Sequence, residues 1–142
     1  MVRTIEAMFG TKEPSASTDF YVKKNRNGGM AIHLHRLNAP TLRKALDAAV
    51  KVYDVEYESN KVLRHIHKIK DGTDIYLFAN ISETQIDTYA RLRGHMQLEA
   101  WNPHTGEISK AECTQKVEAG TDVTVVRITL APFKSLFIVG GR

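Results

Sequence analysis

At 142 residues, 42% hydrophobic and 25% charged, the chain lies in the ordinary globular range and is long enough to bury a core without disulfide or metal staples. It holds no run of about 18 apolar residues, so no helix of the membrane-crossing kind is expected. Its net charge of +4 is scattered over Lys23, Lys24, Arg26, Arg43, Lys44, Lys68, Lys70, Arg91 and Arg93; no run reaches about five like charges, which favours a solvated basic surface over a nucleic-acid-binding tail.

The opening MVRTIEAMFGTKEPSAS has no apolar core of a secretion signal. Its TIEAMFG reads as a short helix and its TKEPSAS as a polar loop. DFYVKKNRNGGMAIHLHRL reads as a hairpin. Phe20 to Lys24 forms one strand, Asn27-Gly28-Gly29 supplies the positive-φ turn, and Met30 to His35 returns. Met30, Ile32 and Leu34 then share one face, and Ala31, His33 and His35 the other.

NAPTLRKALDAAVKVYD is the convincing helix. Asn38 can cap it, and Pro40 suits the first turn. Leu42, Ala45, Leu46, Ala49 and Tyr53 fall on one apolar stripe. If left uncovered, the Leu42–Leu46–Tyr53 stripe offers a route to a homodimer.

From Lys61 onward only strands and turns are expected. KVLRHIHKIK and DIYLFANI flank Asp71-Gly72, a strong hairpin signal. TQIDTYARL, MQLEAW, EISKAECT, VTVVRITL and SLFIVGG follow at intervals of about ten residues. The predicted class is mainly β: a C-terminal β-sandwich of about seven antiparallel strands over 59–142, preceded by a small α+β segment (hairpin plus one helix) over 1–58. Cys113 is the sole cysteine, so no internal disulfide and no cysteine metal cluster is expected; it reads as a small apolar strand residue.

No Gly-x-Ser-x-Gly elbow occurs, and NRNGG lacks both the Lys-Ser/Thr and the following helix of a phosphate loop. No catalytic residue and no cofactor can be assigned. A glycosidase needs two opposed carboxylates, and sixteen acidic residues supply pairs without selecting one. Two His-x-His pairs, His33/His35 and His65/His67, each place two imidazoles on one strand face and are weak candidates for two corners of a metal site. The competing reading makes them polar residues on half-exposed strands. Tyr76, Phe78, Phe133 and Phe137 read as packing residues. AWNPHTGEI puts the single Trp beside a polar turn. Trp101, Asn102, His104 and Tyr89 are therefore the carbohydrate-contact candidates, while a structural plug at the end of the sandwich is the favoured role for Trp101.

LRHIHKIKDGTDIYLFAN, LEAWNPHTGEI and ITLAPFKSLFIV, in that order, resemble the C-terminal end of large bacterial glycoside hydrolases of the α-L-rhamnosidase type, the family numbered 106. His67, Tyr76 and Asn80 match the first block. Trp101, Asn102, Pro103, Thr105 and Gly106 match the hairpin, and Ser135, Phe137 and Val139 match the last strand. His104 stands where an acidic residue is common, and Lys68 where Arg is common. In that family the catalytic carboxylates and the sugar-binding metal lie in an upstream barrel, and nothing here matches them. The resemblance implies a non-catalytic accessory sandwich whose partner is the parent enzyme's catalytic domain, with glycan as a further contact, and an exported parent. No nucleic-acid or membrane partner is expected. The alternatives are an autonomous carbohydrate-binding module and a small metal protein built on the His-x-His pairs.

Overall fold

The structure is a computed structural model that describes residues 2–10, 19–24 and 27–141. The predicted polar loop TKEPSAS lies outside the described residues. Contacts divide the chain into two compact units, Met1–Lys51 and Val52–Arg142.

The first unit holds α1 (Val2–Phe9), β1 (Phe20–Lys24), β2 (Met30–Leu34) and α2 (Ala39–Ala49). β1 and β2 pair antiparallel from Phe20↔Leu34 to Lys24↔Met30. Gly28 takes a positive φ of 83° in the connecting turn. Asn38 caps α2 as its residue type suggests: its side chain accepts from the Thr41 amide at 2.9 Å. The helix stops at Ala49, short of the predicted Tyr53, because Val50 takes extended φ and ψ. Val50 and Val52 are β-branched and weak helix formers. The apolar stripe is also rotated from expectation. Thr41 and Ala45 are buried, whereas Leu42 and Leu46 are each 41% exposed.

The second unit is the β-sandwich. Its strands are β3 (Val55–Tyr57), β4 (Leu63–Lys70), β5 (Thr73–Asn80), β6 (Ile86–Arg93), β7 (Gln97–Trp101), β8 (Ile108–Lys110), β9 (Cys113–Glu118), β10 (Thr121–Leu130) and β11 (Ser135–Gly141). One sheet has the order β3-β6-β10-β9 and the other β4-β5-β11-β7-β8. Every pairing is antiparallel. The sandwich begins earlier than the predicted residue 59, because β3 ladders onto β6 from Val55↔Leu92 to Tyr57↔Ala90. It also has more strands than the predicted seven. EISKAECT, read as one strand, is two: β8 belongs to the five-stranded sheet and β9 to the four-stranded one. Ala111, buried at the corner, donates its amide to Leu98, and the Glu112 carbonyl accepts from Arg127.

Turn chemistry sets the register. Asp71 and Gly72 take φ of 50° and 77° between Lys70 and Thr73, the two-residue hairpin their types favour. Ala119 and Gly120 do the same between β9 and β10, with φ of 48° and 76°.

The core lies between the inner faces of the two sheets. Tyr76, Phe78 and Ile138 face Ala90, Leu92, Val126 and Ile128, all with no exposed surface. Full burial of rings such as Phe78 contributes about 2–3 kcal/mol each. The chain crosses between sheets after β6, where Thr124 anchors the crossing. Its hydroxyl accepts from the Met96 amide at 3.1 Å and lies 2.7 Å from the Gly94 carbonyl, while Gln115 Nε2 donates to Met96 O at 2.8 Å. Asn80 secures the end of β5. Its amide donates to Thr84 O and Ala131 O, and its carbonyl accepts from Ser82. Two predicted packing residues fall elsewhere. Phe133 is 63% exposed in a turn with φ of 53°, and Phe137 lies on the outer sheet face.

Gly140 and Gly141 adjoin in β11 but differ in surroundings. A Cβ on Gly140 would lie 2.5 Å from Gln97 O and 2.6 Å from Leu98 Cδ2; one on Gly141 would meet nothing within 4 Å. Gly140→Ala is therefore expected to lower stability by about 1–3 kcal/mol in urea titration. Gly141→Ala should leave the unfolding midpoint in place.

Candidate functional site

The outer face of the five-stranded sheet carries the most distinctive surface. Strand alternation puts Gln97, Glu99 and Trp101 of β7 outward, opposite to the buried Leu98. The ladders then line Trp101 up with one residue from each other strand. Ile66 pairs Leu77, Leu77 pairs Phe137, Phe137 pairs Trp101, and Trp101 pairs Ile108. An apolar row thus crosses all five strands on the solvent side. Ile66 is 54%, Trp101 39% and Ile108 57% exposed. Trp101 is not the core plug the turn suggested, because its position shares parity with the polar Gln97 and Glu99.

Beside this row, over β4, β5 and β11, lies an apolar depression of about 440 Å³ lined by Ile66, Ile69, Ile75, Leu77 and Phe137. Along the same flank, towards β7 and β8, lies a trough of about 760 Å³ beside Trp101, lined by Thr73, Gln97, Glu99, Lys110, Val139 and Gly141 among others. The Trp101 indole N–H donates to Glu99 Oε2 at 2.8 Å, which fixes the ring and leaves a face bare.

The other carbohydrate candidates are elsewhere. Asn102 and His104 belong to the β7–β8 turn. The Asn102 amide donates to Glu107 O, Gly106 donates to Asn102 O, and Asn102 Oδ1 accepts from the His104 amide. Gly106 takes φ of 76°, the role its type predicts. His104 Nε2 accepts from the Ser135 amide at 3.2 Å, tying the turn to β11. These residues line a separate depression with Ala131 and Lys134. Tyr89, 56% exposed, projects from the outer face of the other sheet beside Glu56, Arg91 and Glu118. There Arg91 is ion-paired with Glu56 and lies 3.8 Å from Glu118. The four candidates therefore do not converge on one site.

Nor do the His-x-His pairs act as pairs. His67 Nδ1 lies 2.5 Å from Asp54 Oδ2 and Nε2 lies 2.8 Å from Asp74 Oδ1, so both ring nitrogens are engaged. Tyr76 stacks on the ring at 4.1 Å. His65 Nδ1 instead lies 3.1 Å from the Tyr57 hydroxyl, and burial holds its pKa below the ordinary value. In the first unit, the His33 and His35 rings meet edge-on at 5.0 Å; Nδ1 of His33 and Nε2 of His35 are buried without a hydrogen-bond partner among the described residues. Among the described residues no group of three or more His, Cys, Asp or Glu is arranged to hold a metal.

No sequence pattern marks the His67 bridge. Asp54 stands at the entrance to β3, and Arg93 of β6 reaches its other oxygen at 3.1 Å. His67 and Asp74 belong to the opposite sheet. The charges therefore strap the two sheets at one end. Only the separation of 13 residues between Asp54 and His67 links them in sequence, and that carries no period.

No protein-family model matches the chain, and no curated protein matches it. A search of solved structures finds likeness to the rhamnosidase from Novosphingobium sp. PP1Y. The match has 22% identity and a TM-score of 0.58, and covers 73% of this chain and 10% of that one. The likeness is one of fold, and the matched region spans a tenth of that enzyme's length.

Burial pushes the Asp54 carboxyl up, but hydrogen bonds and charge from His67 and Arg93 outweigh it and hold the group below 3.8. A lowered carboxylate stabilises the fold above its unfolded pKa and loses that contribution as pH falls through the folded value. The urea midpoint of the native chain should therefore fall on acidification below about pH 4, and Asp54→Asn should flatten that fall. His67→Ala, which removes the imidazole held between Asp54 and the buried Asp74, should lower the urea midpoint at neutral pH.

Proposed function

We propose that this chain is a non-catalytic accessory region of a bacterial glycoside hydrolase of the α-L-rhamnosidase type, whose sandwich braces the catalytic domain. The observation that carries the reading is the shared fold with one tenth of a rhamnosidase chain. Three sequence blocks that resemble the same enzyme type occupy the sandwich in order. In this reading the hairpin–helix unit closes the α/β domain ahead of it.

The apolar depression over β4 and β5 supports bracing. Ile66, Ile69, Ile75, Leu77 and Phe137 line it beside Lys68 and Lys70, an apolar patch with a charged rim of the kind that marks an interaction surface. The half-exposed Trp101 favours a second reading, a carbohydrate-binding module.

The test joins the encoding locus to the purified chain. The expected result is a glycosidase catalytic domain in the same reading frame, with no release of aryl alcohol from aryl α-L-rhamnosides by the chain alone. Turnover by the isolated chain, or a reading frame with no catalytic domain, would overturn the accessory role.

A further inference from the structure

We propose that the trough beside Trp101 is a binding subsite for a neutral pyranoside glycan. This goes beyond bracing, because it gives the sandwich a ligand of its own.

The trough has the three parts that sugar recognition requires. The first is a flat apolar platform for the C–H face of a pyranose ring. Trp101 supplies it already ordered, since the bond to Glu99 immobilises the indole before any ligand arrives. The second is space over a floor. Val139 and Gly141 form that floor, and a side chain added at Gly141 would project into open space. The sheet lacks a side chain where a ring would lie. Gly141 does not have a positive φ and occupies no turn, so backbone geometry does not demand glycine there.

The third part is a small set of unspent polar groups around the platform. The Thr73 hydroxyl, the Gln97 amide and the Lys110 ammonium line the trough, and none has a hydrogen-bond or ion-pair partner for its side chain among the described residues. Lys110 is notable because Glu99 is its direct cross-strand neighbour. Such opposite charges ordinarily pair. Here Glu99 turns to the indole instead, and the ammonium is left facing the trough. Hydroxyl, amide and ammonium together offer donors and acceptors around the trough.

Charge selects among glycans. Lys110 and Glu99 lie side by side in the wall and cancel, so the trough offers no net attraction to a uronate carboxylate. A neutral pyranoside matches both the hydroxyl-sized polar groups and the apolar row of Phe137 and Ile108 flanking Trp101.

The single Trp makes the test direct. The full chain is titrated with neutral oligosaccharides containing rhamnose, xylose or glucose, and with oligogalacturonate as the charged counterpart. The readouts are Trp emission, acrylamide quenching and calorimetry. At least one neutral oligosaccharide should shift the emission saturably and protect the indole, with a dissociation constant on the order of 1 mM. Trp101→Ala and Gly141→Leu should each weaken binding about tenfold or more by calorimetry. Gly141→Leu fills the floor from a position where an added Cβ meets nothing within 4 Å, so its unfolding midpoint should stay close to that of the native chain. No response to any neutral glycan at about 10 mM, tighter binding of oligogalacturonate, or undiminished binding by a folded Gly141→Leu chain each overturns the subsite. These outcomes are separate from the locus test. A Trp101 silent to glycans beside a catalytic domain in the same frame refutes the subsite alone, and glycan binding without such a domain refutes the accessory role alone.

Discussion

The outer surface depends on cross-strand register. Side chains alternate along a strand, so a slip of one residue in any ladder would exchange its inner and outer sets. Ile66, Leu77, Phe137, Trp101 and Ile108 form a row because four ladders agree. That agreement comes from both layers of the molecule. The turns at Asp71-Gly72 and Asn102–Glu107 fix the hairpins locally. The inner faces, with Tyr76, Phe78, Leu98 and Ile138 in the core, penalise any slip, because it would bring Glu99 or Lys68 inside.

Much of this was legible in the sequence. Asp71-Gly72 placed the β4–β5 hairpin through its positive-φ preference, and Asn38 with Pro40 placed the start of α2. What escaped has identifiable causes. Ala119-Gly120 was missed because alanine seldom takes a positive φ, and here Gly120 alone signals the turn. The division of EISKAECT between two sheets left no mark, because Ala111 and Glu112 are not turn formers. Trp101 was misplaced by its residue type, although the alternation in QLEAW already grouped it with Gln97 and Glu99. Phe137 could not be placed by pattern, since β11 is apolar on both faces.

The candidate site was legible in part. Trp101 was named, but the trough beside it draws on Thr73, Lys110, Val139 and Gly141 from three other strands. Only pairing brings these together, and no spacing in the chain records it. The same holds for the strap of Asp54, Arg93, His67 and Asp74, which joins four segments across both sheets. Its central residue was read as half of a metal pair because His-x-His on a strand is a local pattern, whereas the carboxylates that occupy it are remote. Such a strap couples the two sheets through charge. Thr124 and Asn80 perform the neutral counterpart at the β6–β7 crossing and at the end of β5.

The five-stranded sheet ends on β4, an eight-residue strand with one side unpaired. An edge of that length is a template on which a second copy can add a strand. Arg64, Lys68 and Lys70 punctuate it, and a second copy brought alongside would present the same cations. The strand is thus adhesive through its backbone and repulsive through its side chains. Its colloidal behaviour follows from that opposition. High salt screens the repulsion while leaving the backbone groups untouched, so the balance at this edge shifts with ionic strength.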